Sequence, residues 1–331
     1  MDLDAFVAEH AGEWRRLEWL STRRRKLSAE QADELVMLYQ RTATHLSLIR
    51  SRSPDPALVA RLSRLVLTAR GALTGSPARL WPTVIRFFSE SFPVAVYRAW
   101  PWWAAVSLAF VVVAGWLMVH YATHPGDVLR FVSEQEVEDI VNTSFEAYYR
   151  QSLPQNFAFA VWTNNTFVSA ICLASGVLVA PVLFVLFMNA FNIGLTGGIM
   201  IGHGRADVFF GLILVHGLLE LTCVFIAAGV GLRIGWSWIA PGPYRTRGQA
   251  LAEAGRAGMV VALGLGGALL VSGIIEAFVT PYVPTLLALP IGALAWLGFL
   301  AYVVLLGRPA AHAGLTGDLA AHERESVAPT A

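Results

Sequence analysis

Charge is scarce in this sequence: 14% of its 331 residues are Asp, Glu, Lys or Arg, against about 25% in an ordinary soluble domain. That deficit excludes an average cytosolic enzyme. Cysteine is scarcer, with two residues, Cys172 and Cys223, both inside apolar runs. They read as small packed hydrophobes, which excludes a disulfide scaffold and a thiolate metal site. The sequence contains no His-Glu-x-x-His and no Gly-x-Ser-x-Gly, so the common zinc-protease and serine-hydrolase signatures are missing. No long apolar run precedes Trp100; the first such run is expected to be a retained membrane anchor rather than a signal peptide.

What is present points to one class. Hydrophobic residues make up 56% of the chain, with 29 Gly, 11 Trp and 18 Phe, and this suits an all-α, polytopic membrane protein. Segments of about 20 apolar residues fall at 101–120, 164–187, 208–232, 257–279 and 285–307. A sixth, 189–204, is short and glycine-rich and fits either a spanning or a re-entrant helix. Charge favours six spans with both termini in the cytoplasm. Basic residues outnumber acidic ones over 1–100, and Arg233, Arg245, Arg247 and Arg256 then share that side, as positive charge is retained inside. The acidic stretch 126–152 falls outside.

The expected organisation is a cytoplasmic helical domain with an interfacial helix over 1–98, a transmembrane domain over 99–307, and a disordered tail over 308–331. Within the second lie an extracytoplasmic segment, 121–163, and a cytoplasmic loop, 233–256. Ser28 and Gln31 have capping-box spacing, and Asp55-Pro56 starts a second helix, the two helices being joined at Ser53-Pro54. The run Arg23-Arg24-Arg25-Lys26 reads equally as a topology signal or as a site for anionic lipid or a protein partner. Trp81, Trp100, Trp102 and Trp103, interleaved with Arg86 and Arg98, suit a helix at headgroup depth. Residues 126–152 read as an amphipathic outer helix that packs on the spans or docks a partner.

Polar groups at membrane depth are costly and therefore informative. His216 and Glu220 stand four apart, on one face of a helix. Glu276, Asn189, Asn192 and, at the mouth of the second span, Asn164 and Asn165 complete the candidate set. The simplest expectation is that His216 and Glu220 hydrogen-bond each other or the asparagines of the glycine-rich segment, as interhelical glue. A proton- or cation-carrying Glu220 is the sharper alternative. Metal ligation finds no clear partner for the pair on a second helix, so no metal, cofactor or catalytic residue is expected. Glycines such as Gly194, Gly197 and Gly198 allow close helix approach, within one chain or in a homodimer.

The ordered set Asn164-Asn165, Gly176, Asn189 through Asn192-Ile193-Gly194, His216-Gly217-Leu218-Leu219-Glu220-Leu221 and Ala227 to Leu232 resembles the stage II sporulation protein M family. The similarity covers roughly 80–306. The N-terminal helical domain and Phe92-Pro93 look like the non-sporulation members found in actinobacteria. The resemblance implies an integral membrane protein without known catalytic activity; in endospore formers the family member helps recruit a peptidoglycan-remodelling complex. It also implies a gene context with a MoxR-type ATPase and other membrane proteins. The expected function is a non-enzymatic scaffold for envelope assembly in the plasma membrane, with the bilayer and envelope proteins as partners and no nucleic acid. The alternatives are a permease-like protein using His216 and Glu220, and an intramembrane hydrolase.

Overall fold

The computed structural model describes residues 3–22, 27–52, 55–73, 80–144 and 153–318. The Arg23–Lys26 run, the Ser53-Pro54 joint, residues 145–152 of the acidic stretch and the tail from 319 lie outside the described residues. No strand occurs among the described residues. The chain forms two compact units, divided between Thr83 and Val84.

Helices α1 (Leu3–Thr22), α2 (Ala29–Arg52) and α3 (Pro56–Leu73) build the first unit. Its core is Trp14, Leu17, Leu35, Ile49, Leu62 and Ala69, with smaller neighbours, one apolar stripe from each helix. The start signals act as the sequence suggests. Gln31 N–H donates to Ser28 Oγ at 3.3 Å while Ser28 N–H donates to Gln31 Oε1 at 3.1 Å, and Leu58 N–H donates to Asp55 Oδ1 at 2.7 Å. The Arg16 guanidinium donates twice to Glu34, at 2.9 and 2.7 Å, and holds that carboxyl below its usual range.

The second unit is the membrane core. A short helix, α4 (Leu80–Arg86), and a π-helical turn (Phe87–Ser91) lead into α5 (Phe92–Arg98) and then α6 (Trp100–Thr123). The short α7 (Pro125–Val128) and α8 (Glu134–Asp139) follow, then α9 (Pro154–Ala174), α10 (Ala180–Gly202), α11 (Ala206–Ile239), α12 (Arg247–Ile274) with a π-helical extension (Ile275–Val279), and α13 (Thr285–His312). Among the described residues, six helices are long and apolar enough to cross a bilayer. Their outer faces leave Leu108, Val111, Trp116, Leu286, Leu294 and Leu305 exposed. A surface that apolar belongs in hydrocarbon rather than water. The protein is an all-α, polytopic membrane protein.

Five features differ from those read in the sequence. The apolar run 164–204 divides at Ser175–Val179, so the second span is Pro154–Ala174 and the third is Ala180–Gly202. At about 1.5 Å per residue, α10 is a full span, and its glycines lie inside it rather than in a re-entrant half-helix. The break has a packing cause: a Cβ on Gly176 would overlap the Gly231 carbonyl of α11, so the chain turns where the two backbones touch. Val179 closes the turn at φ 59°, a left-handed conformation a β-branched residue adopts only under constraint. The expected loop 233–256 contracts to residues 240–246, because α11 continues to Ile239 and α12 begins at Arg247 behind a capping box of Thr246 and Gln249.

The other three concern the edges of the core. Phe92, Pro93, Val94, Ala95 and Val96 are buried, and the Tyr302 hydroxyl of α13 donates to the Phe88 carbonyl, so α5 packs into the bundle. Beyond α13 the chain is held through Asp318. The Arg256 guanidinium donates to that carboxylate at 2.6 and 2.9 Å, and Arg98 donates to the Leu315 carbonyl at 3.0 Å. The start of the expected disordered tail is therefore fixed by charge. Within 126–152, the single amphipathic helix expected is replaced by α7, α8 and a π-helical turn over Ile140–Ser144, since Ser133 caps α8 afresh with Glu136. That cap holds the Glu136 carboxyl below its usual range.

Candidate functional site

Ridges and glycines set the helices around one polar cluster. On α13, Gly292 meets the Val215 main chain of α11 so closely that a Cβ would stand 2.6 Å from its carbonyl carbon, and Trp296 Nε1–H donates to Thr222 Oγ1 of α11 at 3.0 Å. These contacts fix the turn of α11 that carries His216 and Glu220. From α9, Trp162 Nε1–H donates to the Gly266 carbonyl of α12 at 2.9 Å.

Between these helices the donor atoms of His216, Glu220 and Glu276 all lie within 4.8 Å of one another. His216 Nε2 is 3.8 Å from Glu276 Oε1. Its other ring nitrogen, Nδ1, is 3.4 Å from the Thr280 hydroxyl, which also reaches the Ile275 carbonyl at 3.4 Å. The Ser272 hydroxyl donates to the His216 main-chain carbonyl at 3.1 Å. Asn165 hydrogen-bonds the Glu220 carboxyl, and Ser272 is within its reach. His216, Ser272, Glu276 and Thr280 are buried. Glu220 Oε2 and Glu276 Oε2 are buried oxygens with no hydrogen-bond partner.

The structure thus brings together His216, Glu220, Glu276 and Asn165 from the sequence-based set and leaves the other asparagines apart. Asn189 Nδ2–H donates to the Val185 carbonyl of its own helix at 2.8 Å, and Asn164 and Asn192 are exposed. His216 makes polar contacts with Ser272, Glu276 and Thr280, and Glu220 with Asn165 of α9. Glu276, present in that set without a partner, is the second-helix carboxylate that the His216/Glu220 pair lacked in the sequence. Ser272 and Thr280 belong with it, and a signal existed: Ser272, Glu276 and Thr280 recur every fourth residue, a polar stripe on one face of an otherwise apolar span. Glu276 lies in the π-helical extension, whose wider turn is marked by the Thr280 N–H to Ile275 carbonyl bond at 3.0 Å. Such turns are frequent at functional sites.

The family model for stage II sporulation protein M matches residues 104–281, more than half of the chain and all of this cluster. The chain belongs to the stage II sporulation protein M family. Its first unit has a separate match: residues 4–75 fit a family model described as a domain of unknown function (DUF8413). No curated protein and no solved structure is detectably similar to the chain. This family member therefore combines the family's membrane core with an additional three-helix unit.

Proposed function

We propose that this family member is a non-enzymatic membrane scaffold that recruits partners for cell-envelope assembly or remodelling. The observation that carries this reading is the division of the chain into two units. One is a six-span core joined by backbone-level contacts at Gly176, Gly231 and Gly292; the other is a three-helix unit with its own hydrophobic core and its own family match. A close-packed interior resists the motions a carrier needs, whereas a separately folded unit on a membrane base suits recruitment.

Charge supports an orientation. Arg98, Arg233, Arg245 and Asp318 line one polar cavity of about 310 Å³, so the start of the first span, the joint of the fourth and fifth, and the end of the sixth share one face. Glu134 and Glu138 line a cavity of about 490 Å³ with His203, at the other ends of α6 and α10. The basic face is the cytoplasmic one by the positive-inside tendency. A cysteine at Tyr244, 95% exposed, should label from the inside of sealed cells' membranes and not from the outside.

The unpartnered carboxylate oxygens favour one competing reading, a cation-coupled permease. A single series separates the two. In proteoliposomes under an imposed pH gradient, the recruitment reading expects no flux that depends on Glu220 or His216. It also expects E220Q and H216A to change abundance and partner recovery together. A proton flux abolished by E220Q, with partner recovery intact, would establish transport instead.

A further inference from the structure

Recruitment gives no reason for two carboxylates to meet an imidazole inside an apolar core. Glu276 is 4% exposed and His216 6% exposed, and each glutamate keeps one buried oxygen without a hydrogen-bond partner. Uncompensated charge is not tolerated at such depth, so the cluster holds either protons or a cation. We propose that His216, Glu220 and Glu276 bind a divalent transition-metal ion, Zn²⁺ or a close relative, that ties α11 to α12.

The charge balance is the first argument. Two carboxylates and a neutral imidazole carry −2, and one divalent ion neutralises them while giving each carboxylate a partner. Donor chemistry is the second. One imidazole nitrogen with two carboxylates suits a borderline ion with bonds of about 2.0–2.2 Å, the three protein donors leaving a fourth position for water. Ca²⁺ requires six to eight oxygens and Mg²⁺ an octahedral, largely hydrated shell, which this donor set does not supply. Bonds of that length place tetrahedral donors about 3.4 Å apart. The His216–Glu276 separation of 3.8 Å and the outer bound of 4.8 Å for the set approach this closely enough for carboxylate rotation to complete it.

The surrounding hydrogen bonds also fit. The Thr280 hydroxyl reaches the Ile275 carbonyl, to which it donates, and it can then accept from His216 Nδ1–H. That places the ring proton on Nδ1 and leaves the Nε2 lone pair facing Glu276, the tautomer that a metal ligand needs. Asn165 positions Glu220 in the same supporting way. A contrast exists within the chain. His10, Glu13 and His45 also bring donor atoms within 4.8 Å, but Trp14 Nε1–H donates to His45 Nδ1 at 3.3 Å and Arg41 takes Glu13 Oε1 at 2.8 Å. There the His45 ring proton is driven to Nε2, which leaves that imidazole no lone pair for a metal.

The test uses the full chain, purified in mild detergent without chelator. Elemental analysis should find about one zinc-class ion per chain. After stripping and reloading with Co²⁺, visible absorption should show a four- or five-coordinate nitrogen/oxygen site. E220Q and E276Q should each weaken Co²⁺ binding at least about 10-fold, while H10Q/H45Q retains it. X-ray absorption of the zinc-loaded wild type should give one imidazole with oxygen donors near 2.0–2.1 Å, a readout that needs no variant to fold. Monodisperse wild-type protein that holds only trace metal and develops no cobalt spectrum overturns the proposal. So does sulfur in the absorption shell, full binding by E276Q, or loss of binding in H10Q/H45Q.

Discussion

Replacing Gly292 by alanine should separate α13 from α11 next to His216. The new Cβ would stand 2.6 Å from the Val215 carbonyl carbon and 2.9 Å from its Cα, and closer still to the oxygen. Ordinary carbon–carbon contact is about 3.5–4.0 Å, so the helices must part by about 1 Å along this seam. Overpacking of this kind costs about 1–3 kcal/mol. Alanine is also about 1 kcal/mol better than glycine inside a helix, which offsets part of the loss. Gly298 provides the correction, because it lies on the same helix and a Cβ there meets nothing within 4 Å. G298A gains the propensity without the clash. The stability difference between G292A and G298A, measured by thermal unfolding in detergent, is therefore the packing term alone. Equal stability of the two would refute the close approach of α13 to α11.

Leu62 is fully buried in the first unit, and Leu62→Ala should destabilise that unit by about 2–5 kcal/mol while leaving the thermal transition of the membrane core in place; differential scanning calorimetry resolves the two. Burial, followed by the nearby His10, lowers the His45 pKa from its ordinary 6.5, so the unfolded chain takes up the proton first as pH falls. The first unit should therefore lose stability as pH falls below about 6.5 and level off below the folded-state pKa, a slope that His45→Gln removes in urea unfolding at graded pH. Asp318→Asn weakens a twofold bond from Arg256. Because the Arg256 side chain is 37% exposed, water replaces much of that interaction and the loss should be about 1 kcal/mol. It should be visible as faster proteolysis near residues 313–318, and an unchanged rate would show that the segment is held by other contacts.

The class of the fold was legible because apolar runs of span length have few soluble explanations, and the capping residues Ser28, Gln31 and Asp55 marked real helix starts. The division between the second and third spans was not. Hydropathy runs unbroken through Gly176–Val179, and the turn there depends on Gly231, which reaches it only in the folded chain. The same limit governs the site. His216 and Glu220 share a helix face, which spacing alone reveals, but Glu276 joins them through the packing of α12 on α11, a tertiary fact. The stripe Ser272, Glu276, Thr280 carried the missing signal. Asn189 and Asn192 misled because an asparagine in an apolar span can satisfy itself on its own helix, as Asn189 does at the Val185 carbonyl, or face outward, as Asn192 does. The order at the start of the tail depends on Asp318 meeting the Arg256 guanidinium of α12, a tertiary contact that the sequence does not disclose.

The claim at the centre of this account is that the first unit recruits and the membrane core supports. It is tested most directly by quantitative cross-linking and mass spectrometry on cells expressing either the full chain or the chain without residues 1–83, at matched membrane levels. The account predicts envelope-associated partners captured by the full chain and lost with the unit, while the truncated core still inserts and stays monodisperse. The same partners captured in the same amounts by both chains would contradict it.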